Sequence, residues 1–339
     1  MNFYKIARSI LFKFEAEKAH HLTINGLRAM QLLGITSLMT PRVKNNSIKV
    51  MGLTFPNRIG LAAGLDKSGH CINGFGSMGF GFVEIGTITP RPQSGNPQPR
   101  LFRLKNHEAI INRMGFNNPG IDKAIDNVTK SAKGYDGIVG INIGKNKITP
   151  NEKALEDYMI LLRKAYGIAD YITINVSSPN TSGLRELQSP EFARGLLSPL
   201  MKERNNLRED HGKNVPIAVK LDPDMSHEQI NLLADLFLEL KIDAVIATNT
   251  TISRDEVKKH HLASEQGGLS GKPIHSKSNE AISKFYGALN DDIPIIGVGG
   301  ISSKKDAEEK IAAGAKLLQI YTGLVYQGPS LVKELLSIE

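Results

Sequence analysis

Asn175-Val-Ser-Ser-Pro-Asn-Thr181 packs two amide side chains, two serines and a threonine into seven residues, directly behind a β-type run, Asp170-Tyr-Ile-Thr-Ile174. Pro179 forbids simple continuation of a strand or helix through it. Such a cluster at the end of a buried strand is costly for a core and useful for a site. It suits the holding of a small polar substrate with a hydroxyl placed against it. Lys220 closes another apolar run, where a lone buried cation is expensive unless something pairs with it. Asparagine offers both donor and acceptor without charge, and asparagines recur at such ends: Asn142, Asn175 and Asn249.

The elements that must position these residues are short, β-branched runs at 59–62, 82–85, 138–143, 171–176, 216–221, 244–247, 294–298 and 317–321. Helical patterns fill most gaps, at 150–166, 190–208, 226–240 and 304–313. Eight strands alternating with helices predict an α/β protein, a (β/α)8 TIM barrel, with a doubly wound sheet as the alternative. A barrel places its chemistry just after its strands. The polar or glycine-rich ends agree: Ala63-Gly-Leu-Asp-Lys67, Gly86-Thr87, Asn142-Ile-Gly-Lys-Asn146, Asn175–Thr181, Lys220, Thr248-Asn-Thr250, Gly297-Val-Gly-Gly300 and Tyr321-Thr-Gly323. Barrels often bind phosphate in the last two loops, where glycine lets backbone N–H groups approach the anion. Gly267-Gly-Leu-Ser-Gly271 is read as a further flexible loop there. Gly74-Phe-Gly-Ser-Met-Gly79 matches G-x-G-x-x-G but precedes a strand instead of following one, so it is read as a helix-to-strand turn.

The chain has 339 residues, 40% of them hydrophobic and 22% charged, a soluble globular balance. No run of about 18 apolar residues predicts a membrane span, and no signal peptide is evident at the start. Cys71 is the single cysteine, so no internal disulfide or cysteine-rich metal site is expected. An intracellular protein is the natural reading. Residues 1–45 carry seven basic and two acidic residues, a net +5 of the chain's +8. The rest shows no basic face with interleaved aromatics, which argues against nucleic acid. The nine histidines are scattered, and no metal site is expected.

That basic segment reads as two helices. Phe3, Ile6, Ala7, Ile10, Leu11 and Phe14 recur at helical steps, as do Leu22, Ile24, Leu27, Met30 and Leu33 before Gly34. Thr40-Pro41 and Lys44-Asn-Asn-Ser47 read as a linker. A helix over residues 3–14 is roughly 18 Å long, too short to span a bilayer. It suits either docking on the barrel or lying in a membrane interface, with Lys5, Arg8 and Lys13 near headgroups. The division expected is a helical extension at 1–45 and a barrel at 46–339.

Seven motifs in order, Ala62–Lys67, Asn112-Arg-Met-Gly-Phe116, Asn142–Asn146, Asn175–Thr181, Thr248–Thr250, Gly268–Gly271 and Gly297–Gly300, together resemble the dihydroorotate dehydrogenase family along essentially the whole chain. Serine at 178 instead of cysteine, and the N-terminal extension, resemble its class 2, the membrane-associated, quinone-reducing form. The resemblance implies FMN as cofactor and oxidation of dihydroorotate to orotate in pyrimidine synthesis. It assigns Ser178 as the base taking the C5 proton while the C6 hydride passes to the flavin. Thr181, or a water between it and Ser178, is the expected proton outlet, and Ser177 should point away from Ser178.

The resemblance also implies substrate contacts at Lys67, Asn112, Arg113, Met114, Gly115, Phe116, Asn175, Asn180, Asn249 and Thr250. It implies FMN contacts at Ala63, Gly64, Thr87, Asn142, Asn175, Lys220, Thr248, Gly271, Gly300, Tyr321 and Thr322, with Lys220 beside the N1–O2 edge of the ring. His20, Arg103 and Tyr321 match positions near the quinone head, framed by the two N-terminal helices. Residues 182–188 are expected to form a lid. The implied location is peripheral, on the cytoplasmic side of the cytoplasmic membrane, with a monomer as the favoured state. Three other readings stay open: a soluble class 1-like enzyme using fumarate or NAD, a flavin barrel reducing uracil in tRNA, and a non-catalytic membrane scaffold.

Overall fold

The computed structural model describes residues 3–36, 46–181 and 183–338. Thr40-Pro41, Lys44 and Asn45 of the expected linker lie outside the described residues, as does Ser182, where the expected lid begins. The chain opens with helices α1 (Phe3–Leu11) and α2 (Ala16–Leu32), followed by a small antiparallel hairpin, β1 (Ile48–Val50) and β2 (Leu53–Phe55). Then come β3 (Ile59–Leu61), α3 (Ile72–Gly76), β4 (Phe82–Ile88), β5 (Leu101–Leu104), β6 (Ala109–Asn112), α4 (Ile121–Ser131) and β7 (Ile138–Ile143). They are followed by α5 (Ala154–Ala165), β8 (Tyr171–Asn175), α6 (Pro190–His211), β9 (Ile217–Leu221), α7 (His227–Leu240) and β10 (Ala244–Ala247). The chain closes with β11 (Gly268–Gly271), α8 (His275–Leu289), β12 (Ile295–Val298), α9 (Lys304–Ala312), β13 (Ala315–Ile320), α10 (Thr322–Gln327) and α11 (Pro329–Leu335).

Eight of the strands close into a parallel barrel in the order β3-β4-β7-β8-β9-β10-β12-β13. Each contains most or all of one of the eight apolar runs. Parallel strands sandwiched between side chains and helices are apolar on both faces, and β9, Ile217-Ala-Val-Lys-Leu221, is buried throughout. The period of two sorts the side chains. Val83 and Ile85, Ile172 and Ile174, Ile217 and Val219, and Leu318 and Ile320 join the large core under the helices. Phe82, Tyr171, Ala218 and Leu317 fill the barrel's lower end. Gly140 admits the Tyr171 ring there: a Cβ at Gly140 would lie 2.2 Å from Tyr171 Cζ. Two residues further along the same strands, the inward side chains are Glu84, Asn142, Thr173, Lys220 and Gln319, a polar layer inside an apolar barrel.

The structure differs from the sequence reading at two places. Gly268–Gly271 is not a free loop. It is β11 of an antiparallel sheet ordered β11-β6-β5, which roofs the barrel mouth. This long-range pairing leaves no local signature in a strand of Gly-Leu-Ser-Gly. Helix α1 stops at Leu11 instead of running to Phe14, because the Arg103 guanidinium donates to the carbonyls of Leu11 (3.3 Å) and Phe14. A basic side chain on terminal carbonyls is a common helix stop. The G-x-G-x-x-G segment agrees with its reading as a helix-to-strand turn: it is the end of α3 and the turn into β4.

The N-terminal helices are fastened to the barrel. Tyr4 Oη donates to the Val325 carbonyl (2.8 Å), Arg8 donates to the Tyr326 carbonyl (2.5 Å), and Phe12 meets the Tyr326 ring edge-on at 5.4 Å. Leu27 of α2 reaches the main core, and the buried Cys71 thiol donates to the Ile24 carbonyl (3.4 Å). Glu17, almost fully buried, accepts from Arg100 Nη2 (2.7 Å) and Gln98 (3.1 Å). Burial opposes its charge, but Arg100 outweighs this and holds the carboxyl below its ordinary range. Ile6 and Ile10, one turn apart on α1, and the nearby Phe14 stay 49, 54 and 40% exposed. No described helix is long and apolar enough to cross a membrane.

Candidate active site

A cavity of about 1080 Å³, counted to its open mouth, lies at the C-terminal ends of the barrel strands beneath the β5-β6-β11 sheet. Ser178 lines it. The Tyr158 hydroxyl holds the strand end below by donating to the Asn175 carbonyl (2.7 Å), and Pro179 turns the chain. The Asn180 backbone N–H donates to Ser178 Oγ (3.3 Å). Ser177 faces the other way: its Oγ donates to Asn175 Oδ1 (3.3 Å) and accepts from Asn249 (3.0 Å). Thr181 Oγ1, three residues from Ser178, is buried with no partner among the described residues.

The asparagine side chains bond in two pairs. Asn180 donates to Asn112 Oδ1 (3.1 Å), and Asn249 donates to Asn175 Oδ1 (3.4 Å). Asn112, Asn175, Asn180 and Asn249 all line the cavity, as do Met114, Gly115, Phe116 and Thr250. Arg113 does not. Strand alternation sends its guanidinium outward, to Glu265 (2.6 Å), the Pro99 carbonyl (2.8 Å) and the face of Phe102 (4.6 Å). It locks the roof sheet in place.

Lys67 enters the cavity from the loop after β3. Asp66 shapes that loop by accepting from the backbone N–H of His70 (2.9 Å) and Cys71 (2.7 Å). Burial pulls the Lys67 ammonium down to about 8, with Glu17 opposing and Arg100 adding to the fall. His20, half-buried on α2, is held well below its ordinary range by burial, with Lys67 and His21 adding to it. His20 and Arg103 do not line this cavity: His20 is on α2, Arg103 donates to the Leu11 carbonyl at the end of α1 (3.3 Å), and Tyr321 alone of the three lines it. Burial raises the Tyr321 phenol to about 12, and its Oη donates to the Gly64 carbonyl (3.3 Å).

Much of the remaining cavity lining is backbone. Ala63, Gly64, Gly271, Gly299, Gly300, Thr322 and Gly323 line it. Gly300 has φ 76°, and a Cβ there would fall 2.5 Å from His275 Cα, so only glycine fits this turn. On the floor, Thr87, Lys220, Thr248 and Gln319 reach the cavity. Asn142 does not line the cavity; it accepts from Thr87 Oγ1 (2.5 Å) and donates to Glu84 (2.8 Å). Lys220 lies 3.9 Å from Glu84; burial lowers its proton affinity and Glu84 raises it. Thr248 Oγ1, Thr250 Oγ1 and Gln319 Oε1 are buried with no partner among the described residues, although all three residues line the cavity. Donors and acceptors left free in this way suit a large polar group with a phosphate end.

Glu84 and Gln319 were absent from the expected site. Their signal was a lone polar residue in phase with the inward face of an otherwise apolar strand.

Residues 46–337 match the family model described as dihydroorotate dehydrogenase. A protein of Vibrio atlanticus named dihydroorotate dehydrogenase (quinone) is 53% identical over 332 residues, covering 98% of each chain. One of Neisseria meningitidis with the same name is 52% identical over 333 residues, again covering 98% of each chain. The crystal structure of the Eimeria tenella enzyme in complex with ferulenol superposes with a TM-score of 0.86 at 37% identity, covering 93% of this chain and 89% of that one. With this sequence identity along its length and this barrel, the chain belongs to the dihydroorotate dehydrogenase family.

Proposed function

We propose that this chain oxidises dihydroorotate to orotate in pyrimidine synthesis, holding FMN as cofactor and using a membrane quinone as electron acceptor. The observation that carries this reading is the convergence of Ser178, four asparagines and Lys67 on one cavity that a glycine-rich turn, Gly299–Gly300, also lines. Orotate is a planar anion with amide-like edges. The asparagines match those edges, and Lys67 matches the carboxylate. FMN fits the remainder: Lys220 supplies a cation at the floor, and the Gly299–Gly300 turn and Thr322 suit the phosphate.

Ser178 is the base in this proposal. Its Oγ faces the cavity and already accepts one N–H, which eases negative charge on that oxygen. The unpartnered Thr181 Oγ1 is the outlet for the proton. FMN bound there would supply the two-electron redox chemistry between substrate and quinone. Lys220 holds positive charge at the floor, and the roof sheet covers the cavity from above.

Membrane association belongs to the same proposal. Ile6, Ile10 and Phe14 form an exposed apolar strip flanked by Lys5 and Lys13, as expected for a peripheral contact with the cytoplasmic side of the cytoplasmic membrane. His20, Arg103 and Tyr321 then frame the quinone's approach. Residues 1–45 act as the membrane and quinone unit, and 46–339 as the catalytic barrel.

The role of Lys67 is open to direct test. Its ammonium is charged below about pH 8 and neutral above. Orotate affinity, read from the flavin difference spectrum, should hold steady to about pH 8 and then weaken about tenfold per pH unit. Lys67→Met should bind weakly at every pH and show no such break. A flat profile from neutral pH to well above 8 in the unaltered protein contradicts the assignment.

A further inference from the structure

The polar layer beneath the cavity is organised by one carboxylate. Glu84 is fully buried in the barrel, and side chains from four other strands converge on it. Asn142 Nδ2 donates to its Oε1 at 2.8 Å. Tyr171 Oη (2.8 Å), Thr173 Oγ1 (3.1 Å) and Gln319 Nε2 (2.7 Å) donate to its Oε2. Lys220 Nζ stands 3.9 Å from Oε1 and makes no hydrogen bond to another described residue. A buried carboxylate needs such a set of donors, since an unpaired charge at this depth is very costly.

An ionised carboxylate only accepts. That fact propagates upward. Asn142 must turn its NH2 group to Glu84, so its Oδ1 faces the cavity side, where it accepts from Thr87 Oγ1 (2.5 Å) and Asn175 Nδ2 (3.2 Å). Asn175 Nδ2 also donates to Thr87 Oγ1 (2.8 Å). Its Oδ1 is thereby left to accept from Asn249 (3.4 Å). Gln319 is turned the same way: its NH2 is spent on Glu84, and its Oε1, without a partner, is offered to the cavity. One residue thus sets which face of each of three amides is presented to whatever binds above.

We propose that Glu84 is a positioning residue for the cofactor layer: it fixes the orientations of Asn142, Asn175 and Gln319, balances the charge of Lys220, and makes Gln319 Oε1 a cofactor-contacting acceptor. This rests on the reading of the cavity as an FMN site. Glutamine at position 84 would keep the shape but carry both a donor and an acceptor. It would break the one-way pattern and leave Lys220 as an unpaired buried cation.

The test uses the full-length flavoprotein. Glu84→Gln and Lys220→Met are made singly and together, stripped of flavin and titrated with FMN by flavin fluorescence. The ratio of oxidised to reduced bound flavin is then read at one fixed potential. Glu84→Gln should weaken FMN at least about tenfold and shift that ratio by about tenfold. The double variant should lose less than the product of the two single losses, because the residues act as one unit. Affinity and ratio within twofold of the unaltered protein, or losses that simply multiply, overturn the proposal. If Glu84→Gln does not fold, Gln319→Leu decides: about tenfold weaker FMN supports it, and unchanged affinity overturns it. An unaltered protein that binds no FMN defeats the cofactor reading itself, an outcome distinct from the others.

Discussion

Ser178→Ala should slow the reduction of bound flavin by dihydroorotate by about 10²–10⁴ while leaving orotate affinity within a few fold. The hydroxyl lines the cavity, and a methyl there removes the proposed proton acceptor without disturbing the asparagine side chains, none of which bonds to Ser178 Oγ. The backbone N–H of Asn180 would lose one long contact (3.3 Å), a small loss. The neighbouring Ser177→Ala makes the contrast. Ser177 Oγ bonds Asn175 and Asn249, so its loss should loosen substrate binding more than it slows the chemistry. Stopped-flow reduction with the two variants side by side separates these effects. A Ser178→Ala protein that is reduced at nearly the original rate would remove Ser178 as the base.

Replacing Ile6, Ile10 and Phe14 together with serine should abolish most vesicle binding and spare the dihydroorotate half of the reaction. Each is about half exposed, so its insertion into lipid would bury the remaining apolar surface and contribute about 1 kcal/mol. The three together correspond to roughly 10²-fold in partitioning. The barrel should not notice, because the helices are fastened through Tyr4, Arg8, Phe12 and Glu17 instead. Sedimentation with anionic vesicles measures the first effect, and anaerobic flavin reduction the second. Undiminished vesicle binding would mean that a different surface meets the membrane.

The barrel was legible because strands buried on both faces are short apolar runs, and all eight lie within or close to the expected positions. The ends of those runs carried most of the site for the same reason: a barrel that buries its body must place its polar residues at the mouth. The roof sheet was not legible. Its β11 reads Gly-Leu-Ser-Gly and pairs with a strand more than 150 residues away, so the partner lies far beyond any local pattern. Arg113 was carried into the site by its neighbour Asn112, although alternation along the strand points the two in opposite directions. Glu84 shows the converse. In Phe82-Val-Glu-Ile its phase marked it as inward-facing, but the partners that make a buried carboxylate tolerable come from four other strands and appear only once the barrel closes.

The central claim, that electrons pass from dihydroorotate through a bound flavin to a quinone, is tested most directly by two additions under anaerobic conditions. Dihydroorotate is added to the purified protein, then a short-chain quinone, while the flavin absorbance is followed. Bleaching on the first addition and recovery on the second is the predicted result. A bound flavin that stays oxidised in excess dihydroorotate would contradict the claim at the substrate. Bleaching that quinone fails to reverse, but fumarate or NAD does, would contradict it at the acceptor.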